Sequence, residues 1–182
     1  MSELSDYFNK MRGTSRAPER VSMSEIAWSW TGAFLGILAV GYLNYKVLAG
    51  TDMILIIGSF GASAVLIYGA IKSPLAQPRN LIGGHVLSGL VGVFCYQVFG
   101  AELWLASAMA VATAIALMHA TRTLHPPGGA TALIAVIGGQ SIHDLGYLYA
   151  LVPAGAGALI MLTVALIVNN IPEKRRYPEF WL

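Results

Sequence analysis

The chain has 182 residues, of which 56% are hydrophobic and only 11% charged, with mean hydropathy +0.65 and formal net charge +2. Soluble domains carry about 25% charged residues, so this composition excludes a water-facing globule and leaves an integral membrane protein. The single cysteine, Cys95, excludes an internal disulfide and a multi-cysteine metal centre, and reads as a small packing residue.

Residues 1–25 are polar and mixed in charge. They lack the apolar core and cleavage site of a signal peptide, and Glu3, Asp6, Glu19 and Glu25 count against a plastid transit peptide. The expectation is a cytoplasmic N-terminal tail. Ser22-Met23-Ser24-Glu25 has the form of a capping box that starts the first spanning helix.

A spanning helix needs about 20 apolar residues. Four segments read as continuous: Ile26–Leu48, Leu81–Phe99, Leu103–His119 and Leu145–Val168. Small residues recur in them four apart (Gly32 and Gly36, Ser88 and Gly92, Ala154 and Ala158), a spacing that lets helix backbones approach closely. Two more segments, 52–72 and 124–140, are interrupted by helix breakers in "GSFGASAVLIYG" (58–69) and "HPPGGATALIAVIGG" (125–139).

The interrupted segments resemble each other. Gly61-Ala62-Ser63-Ala64-Val65-Leu66 aligns with Gly129-Ala130-Thr131-Ala132-Leu133-Ile134, and each copy is the middle one of three segments. The predicted fold is therefore an all-α polytopic membrane protein of two three-segment repeats, 26–100 and 101–170, with a cytoplasmic C-terminal tail over 171–182. It has four full transmembrane helices and two broken, half-helix segments. An odd number of crossings per half inverts the second repeat relative to the first, as in many transporters. With six crossings and the N-terminus inside, every Lys and Arg except Lys46 falls on the cytoplasmic side, as the positive-inside rule requires.

Proline fixes φ and biases the preceding residue away from helix. Leu124–Gly128 is thus expected to be extended, with helix from near Gly129; the first half is expected to break around Ser59–Gly61 and be helical from Ala62. Inverted orientation then points two electropositive helix N-termini at each other near the bilayer centre, where their free amides form an anion site. The candidate substrate-binding residues are Ser59, Phe60, Gly61, Ala62, Ser63, His125, Pro127, Gly128, Gly129, Ala130 and Thr131. For Ser63 and Thr131 two readings stand, donation to an anion or back-bonding to local carbonyls. The glycines either expose amides to a ligand or permit close helix contact.

Arg79, Asn80, His85 and Arg122 are the candidate gating and access residues. The two arginines suit bidentate pairing with an entering anion or serve topology. His85 lies within an apolar helix, where ionisable groups are functional candidates; His125 can gate, bind an anion or carry a proton, or cap a turn. His119 is expected to be interfacial and His143, beside Asp144, solvated. No acidic residue lies deep in an apolar segment, which favours an anionic or neutral solute over a cation. The four His have no metal-ligand spacing.

The stretches "GSFGASAVLIYG" (58–69), "SPLAQPRNLIGGH" (73–85), "LHPPGGATALIA" (124–135) and "VNNIPEKRRYPEFW" (168–181) resemble the HPP family of integral membrane proteins, named for the His-Pro-Pro tripeptide. The resemblance implies four transmembrane helices by the usual count. It marks as signature positions His125-Pro126-Pro127, Gly128-Gly129, and Pro78-Arg79-Asn80 with Gly83-Gly84-His85. Plant and cyanobacterial members are similar to nitrite transporters, which implies transport of a small monovalent anion, nitrite first. The alternative is a facilitator of a neutral solute such as nitrous acid. No nucleophile–base–acid set points to an enzyme, and neither a cofactor nor a nucleic-acid partner is expected. The bilayer, a small anion and further copies of the chain are the expected partners, in a prokaryotic plasma membrane.

Overall fold

The computed structural model describes residues 2–182, and among these every regular element is helical. An exposed helix α1 (Ser2–Asn9) precedes α2 (Met23–Tyr42), which continues through a π turn to Val47. A short α3 (Ser59–Ala64) runs into a second π turn, Val65–Gly69. Then follow α4 (Pro78–Phe99), α5 (Leu103–Ala120), α6 (Pro126–Ile137), a single turn α7 (Gln140–His143) and α8 (Ala156–Val168), the last preceded by π-type turns over Ala150–Gly155. Four helices are long and apolar enough to cross a membrane: Met23–Val47, Pro78–Phe99, Leu103–Ala120 and Ala150–Val168. Ser59–Gly69 and Pro126–Ile137 are shorter apolar helices.

Local chemistry sets the helix starts. The Ser22 side chain accepts from the Glu25 amide at 3.2 Å, the cap expected of Ser22–Glu25. Glu25 itself turns to Arg175, 3.5 Å away. Pro78 opens α4 at a position whose N–H has no intrahelical partner in any residue type. The same rule corrects the expected start of α6. The chain is extended only as far as His125 (φ −137°, ψ 105°), and Pro126 and Pro127 are the first two helical residues. Fixed proline φ suits a first turn, so the prolines initiate the helix three residues before Gly129. Likewise α3 is helical from Ser59 and not from Ala62. The expected continuous helix over Leu145–Val168 is also interrupted, at Val152 (φ −135°, ψ 117°) beside Pro153.

Packing falls into two groups. α4, α5 and α6 pack mutually, while α2 packs on α8 and on the π turn after α3. Small residues make these approaches, each in a particular way. A Cβ at Gly92 would lie 2.5 Å from the Ala132 carbonyl, so α4 and α6 touch by backbone there. Gly32 and Gly36 form a notch in α2 that takes the Tyr68 ring, whose hydroxyl donates to Met161 O at 3.0 Å. Gly157 makes the matching space in α8 for Phe60.

The end of the π turn leaves carbonyls without helical partners. Asn169 Nδ2 donates to Ile67 O at 2.8 Å and Arg175 Nη2 to Tyr68 O at 2.6 Å. The segment after α8 continues this fastening. Tyr177 Oη donates to Ala76 O, and Gln77 Oε1 accepts from the Glu179 amide.

Candidate functional site

Helices α3 and α6 lie side by side and antiparallel. Ser59, first in α3, meets Thr131 in the middle of α6, while Ser63 near its end meets His125 at the N-cap of α6. The expected tip-to-tip meeting is thus replaced by a side-by-side overlap, Ser59–Ser63 against His125–Thr131. His85 enters from α4, seven residues below Pro78, or about 10 Å along the helix. That depth is about a third of the way down a 22-residue helix, nearer the 70–77 and 121–125 turns than the middle.

Five polar side chains meet in this overlap, with relative exposures of 1% for Ser59 and 0% for Ser63, His85, His125 and Thr131. Ser63 Oγ lies 2.7 Å from His85 Nε2 and 2.9 Å from His125 Nε2. His85 Nδ1 is 2.7 Å from Thr131 Oγ1, which is 2.9 Å from Ser59 Oγ. His125 Nδ1 donates to Leu75 O at 2.8 Å, and Tyr149 Oη donates to Thr131 O at 2.9 Å. Phe60 and His125 both set their rings edge-on to His85, at 5.2 and 5.1 Å between centroids. Buried polar groups are costly unless bonded, and each of these five is bonded to another or to backbone. Of the two readings for Thr131, back-bonding is present: its hydroxyl donates to Pro127 O at 3.2 Å.

Glycine explains how α6 comes so close to α4. A Cβ on Gly84 would lie 2.5 Å from His125 Cβ, and one on Gly83 would lie 2.6 Å from Thr123 Cγ2. The pair lets the 121–125 turn press onto α4 and sets His125 beside His85. Gly128 fits against Ser88 Oγ and Gly84 O in the same way. Asn80 Nδ2 holds the turn through Leu124 O, and Arg79 Nη2 through Thr121 O, each at 2.8 Å.

Several expected roles change. His85, assigned to access, is a central member of the buried cluster. Gly61 and Ala62 are exposed on the outer side of α3, and Gly129 and Ala130 are half-buried. With Val65, Leu66, Pro126 and Pro127, Ala62 and Ala130 line an apolar groove of about 360 Å³ away from the cluster. The expected free amides are also missing. Pro126 and Pro127 carry no N–H, the Gly128 amide bonds to His125 O, and those of Phe60 and Gly61 bond to Ile57 O and Gly58 O. The site is built from side chains, not from helix ends.

Asn80 and Arg79 act on the turn that carries His125, whereas Arg122 is exposed with φ 57°. His119 is exposed at the end of α5. His143 is half-buried, stacked on Tyr96 at 3.7 Å and 3.0 Å from Val136 O, instead of solvated. Tyr149 and the Leu75 carbonyl escaped the sequence reading. The local hint of Tyr149 is a pair of tyrosines, Tyr147 and Tyr149, in an otherwise aliphatic run, and nothing there distinguishes the two.

Chemically, the cluster offers hydroxyl and imidazole donors to a small solute and a connected path for protons. No carboxylate, lysine or arginine is hydrogen-bonded to it among the described residues. Ser63 beside His125 has the spacing of a nucleophile and its base, but no carboxylate and no free amide pair completes such a set.

The fold and site define a polytopic helical membrane protein organised around a buried Ser–His–Thr cluster. The profile described as "HPP, transmembrane region" matches residues 18–178, and the chain belongs to this family. Two curated relatives from Dictyostelium discoideum, both named only as transmembrane proteins, are 48% identical over 178 residues and 47% identical over 180. Each alignment covers 96% of this chain but only 57% and 63% of the respective relative. Those names carry no solute, and a eukaryotic source gives no support to the prokaryotic placement expected from sequence. No solved structure matches the chain.

Proposed function

We propose that this protein is a transporter or channel for a small inorganic monovalent anion, nitrite first, which rests among Ser59, Ser63, His85, His125 and Thr131. One observation carries the reading: five hydroxyl and imidazole side chains, from helices α3, α4 and α6, converge in the core of a membrane bundle with no acid among them. Acid-free clusters of donors repel nothing negative, and ionisable groups kept inside membrane helices are functional by default. The resemblance to nitrite-transporting relatives supports the choice of solute.

The matched packing of the halves supports the inverted-repeat reading. α2 lies on the α3 segment and on α8, and its counterpart α5 lies on α6 and on α4. In that topology both termini are cytoplasmic, and the 70–77 and 121–125 turns with Arg79 and Arg122 form the cytoplasmic approach. Exposed Trp30, Phe34, Trp104 and Leu159 face the bilayer, and contact with further copies of the chain is part of the same proposal.

A neutral-solute facilitator is the second reading, favoured by the lack of a free amide or fixed cation in the cluster. Proteoliposome uptake of nitrite, nitrate, formate and chloride across pH separates the two. Saturable uptake of the anion supports the first. Flux that tracks only the protonated fraction of nitrite supports the second, and no flux of any of them rejects both.

A further inference from the structure

The polar side chains of the cluster form one continuous file. Leu75 O can only accept, so His125 Nδ1 carries a proton. In a neutral ring Nε2 is then the acceptor, and the Ser63 hydroxyl donates to it. Ser63 Oγ in turn accepts from His85 Nε2–H, which makes His85 Nδ1 the acceptor of the Thr131 hydroxyl. The same hydroxyl can instead donate to Ser59 Oγ at 2.9 Å or to Pro127 O at 3.2 Å, so Thr131 is the rotor that opens or closes the file. The order is Thr131, His85, Ser63, His125, Leu75 O, with successive separations of 2.7, 2.7, 2.9 and 2.8 Å.

We propose that this file is a proton wire that couples proton movement to anion movement; the proposal rests on the transport reading above. A hydronium at the Ser59 end gives one proton to Thr131 Oγ1. Thr131, turned away from Ser59, passes its own proton to His85 Nδ1. His85 releases its Nε2 proton to Ser63, and Ser63 hands its own to His125 Nε2. One proton has entered, every hydroxyl is restored, and the positive charge sits on His125, protonated on both nitrogens. Loss of the Nδ1 proton to water past Leu75 completes passage, and rotation of hydroxyls and rings resets the file.

Coupling follows from what surrounds the rings. They meet Phe60 and Ser63 of α3, Thr131 of α6 and Leu75 of the 74–76 turn, while Arg79 is turned to Thr121 O. No carboxylate balances an imidazolium there, and an unpaired buried charge is costly. The charged state therefore becomes accessible when an anion sits beside it, and the two ions move together. At the far end, the 51–58 segment runs from Ser59 back to a polar pocket of about 540 Å³ lined by Thr51, Asp52, Ser141 and Asp144. Its carboxylates suit the collection of protons.

The test is nitrite addition to proteoliposomes of the full chain with a lumenal pH dye and a valinomycin-set potential, with protein-free vesicles subtracted. The expected result is about one proton entering per nitrite, at a rate that is independent of the potential and saturates with the anion instead of tracking the protonated fraction of nitrite. Nitrite uptake driven by the potential without acidification overturns the wire but leaves transport standing. Absence of uptake of any anion removes the transport reading and the wire with it. His85→Gln retains a donor and an acceptor yet cannot pass a proton; nitrite-dependent proton entry should fall about tenfold or more in a variant that elutes and melts as wild type does. Undiminished proton entry in His85→Gln overturns the proposal. Should that variant fail to fold, proton counting on the wild type decides alone.

Discussion

The Ser63 hydroxyl stands between two imidazoles, 2.7 Å from His85 Nε2 and 2.9 Å from His125 Nε2. One serine on α3 thereby joins α4 to the N-cap of α6, and the same atom serves packing and chemistry. Ser63→Ala leaves two buried ring nitrogens without a partner, at a cost of about 1–3 kcal/mol. Thermal unfolding in detergent should show this loss. A midpoint equal to that of the wild type would mean the bridge contributes nothing.

Two glycines of similar appearance should behave oppositely. Gly84→Ala drives a methyl against His125 Cβ at 2.5 Å and Thr123 O at 3.0 Å, and overpacking of this kind costs about 1–3 kcal/mol. Gly61 has nothing within 4 Å of its would-be Cβ, so Gly61→Ala should be neutral or stabilising by up to about 1 kcal/mol. Measured together, the pair separates close approach from a ligand-facing amide. Loss of nitrite uptake in a stable Gly61→Ala would restore the amide-site reading.

Stability at alkaline pH should report on the C-terminal segment. Tyr177 donates to Ala76 O at 2.7 Å, and burial raises its phenol above the usual value. The unfolded phenol ionises near pH 10 while the folded one keeps its proton, so the contribution is full below about pH 10 and is lost as pH rises further. Tyr177→Phe should cost about 0.5–1.5 kcal/mol near neutrality and flatten the decline above about pH 10. Thermal midpoints between about pH 8 and 11 check this, and an unchanged decline in the variant would refute it.

Arg122 holds φ 57° on the exposed 121–125 turn, a conformation that glycine adopts without penalty. Arg122→Gly should therefore raise the thermal midpoint slightly while removing a cation from the approach to the cluster. Initial uptake should fall about two- to fivefold at low ionic strength and converge on wild type in high salt. A salt-independent defect would place Arg122 in structure instead of access.

The four long spans were legible because some 20 consecutive apolar residues have few other uses, and Ser22–Glu25 announced its own cap. The start of α6 was misread because proline is compatible both with extended chain and with a first helical turn, and only the packing of the 121–125 turn on Gly83 and Gly84 selects the latter. His85 was legible as an oddity in an apolar helix, but not its direction, since α4 is apolar on every face. Tyr149 reaches Thr131 O through contacts 18 residues apart in sequence, which no local pattern records. The π turn at Val65–Gly69 likewise depends on Asn169 and Arg175, about a hundred residues later.

The most direct test of the account replaces one hydroxyl at nearly constant volume. Thr131→Val cuts the link between Ser59 and His85 and leaves the backbone acceptor of Tyr149 in place. The account predicts that wild-type proteoliposomes take up nitrite above the vesicle background, and that a folded Thr131→Val does so about tenfold more slowly or worse. Equal uptake by the two proteins would show that the solute never meets the cluster and would contradict the account.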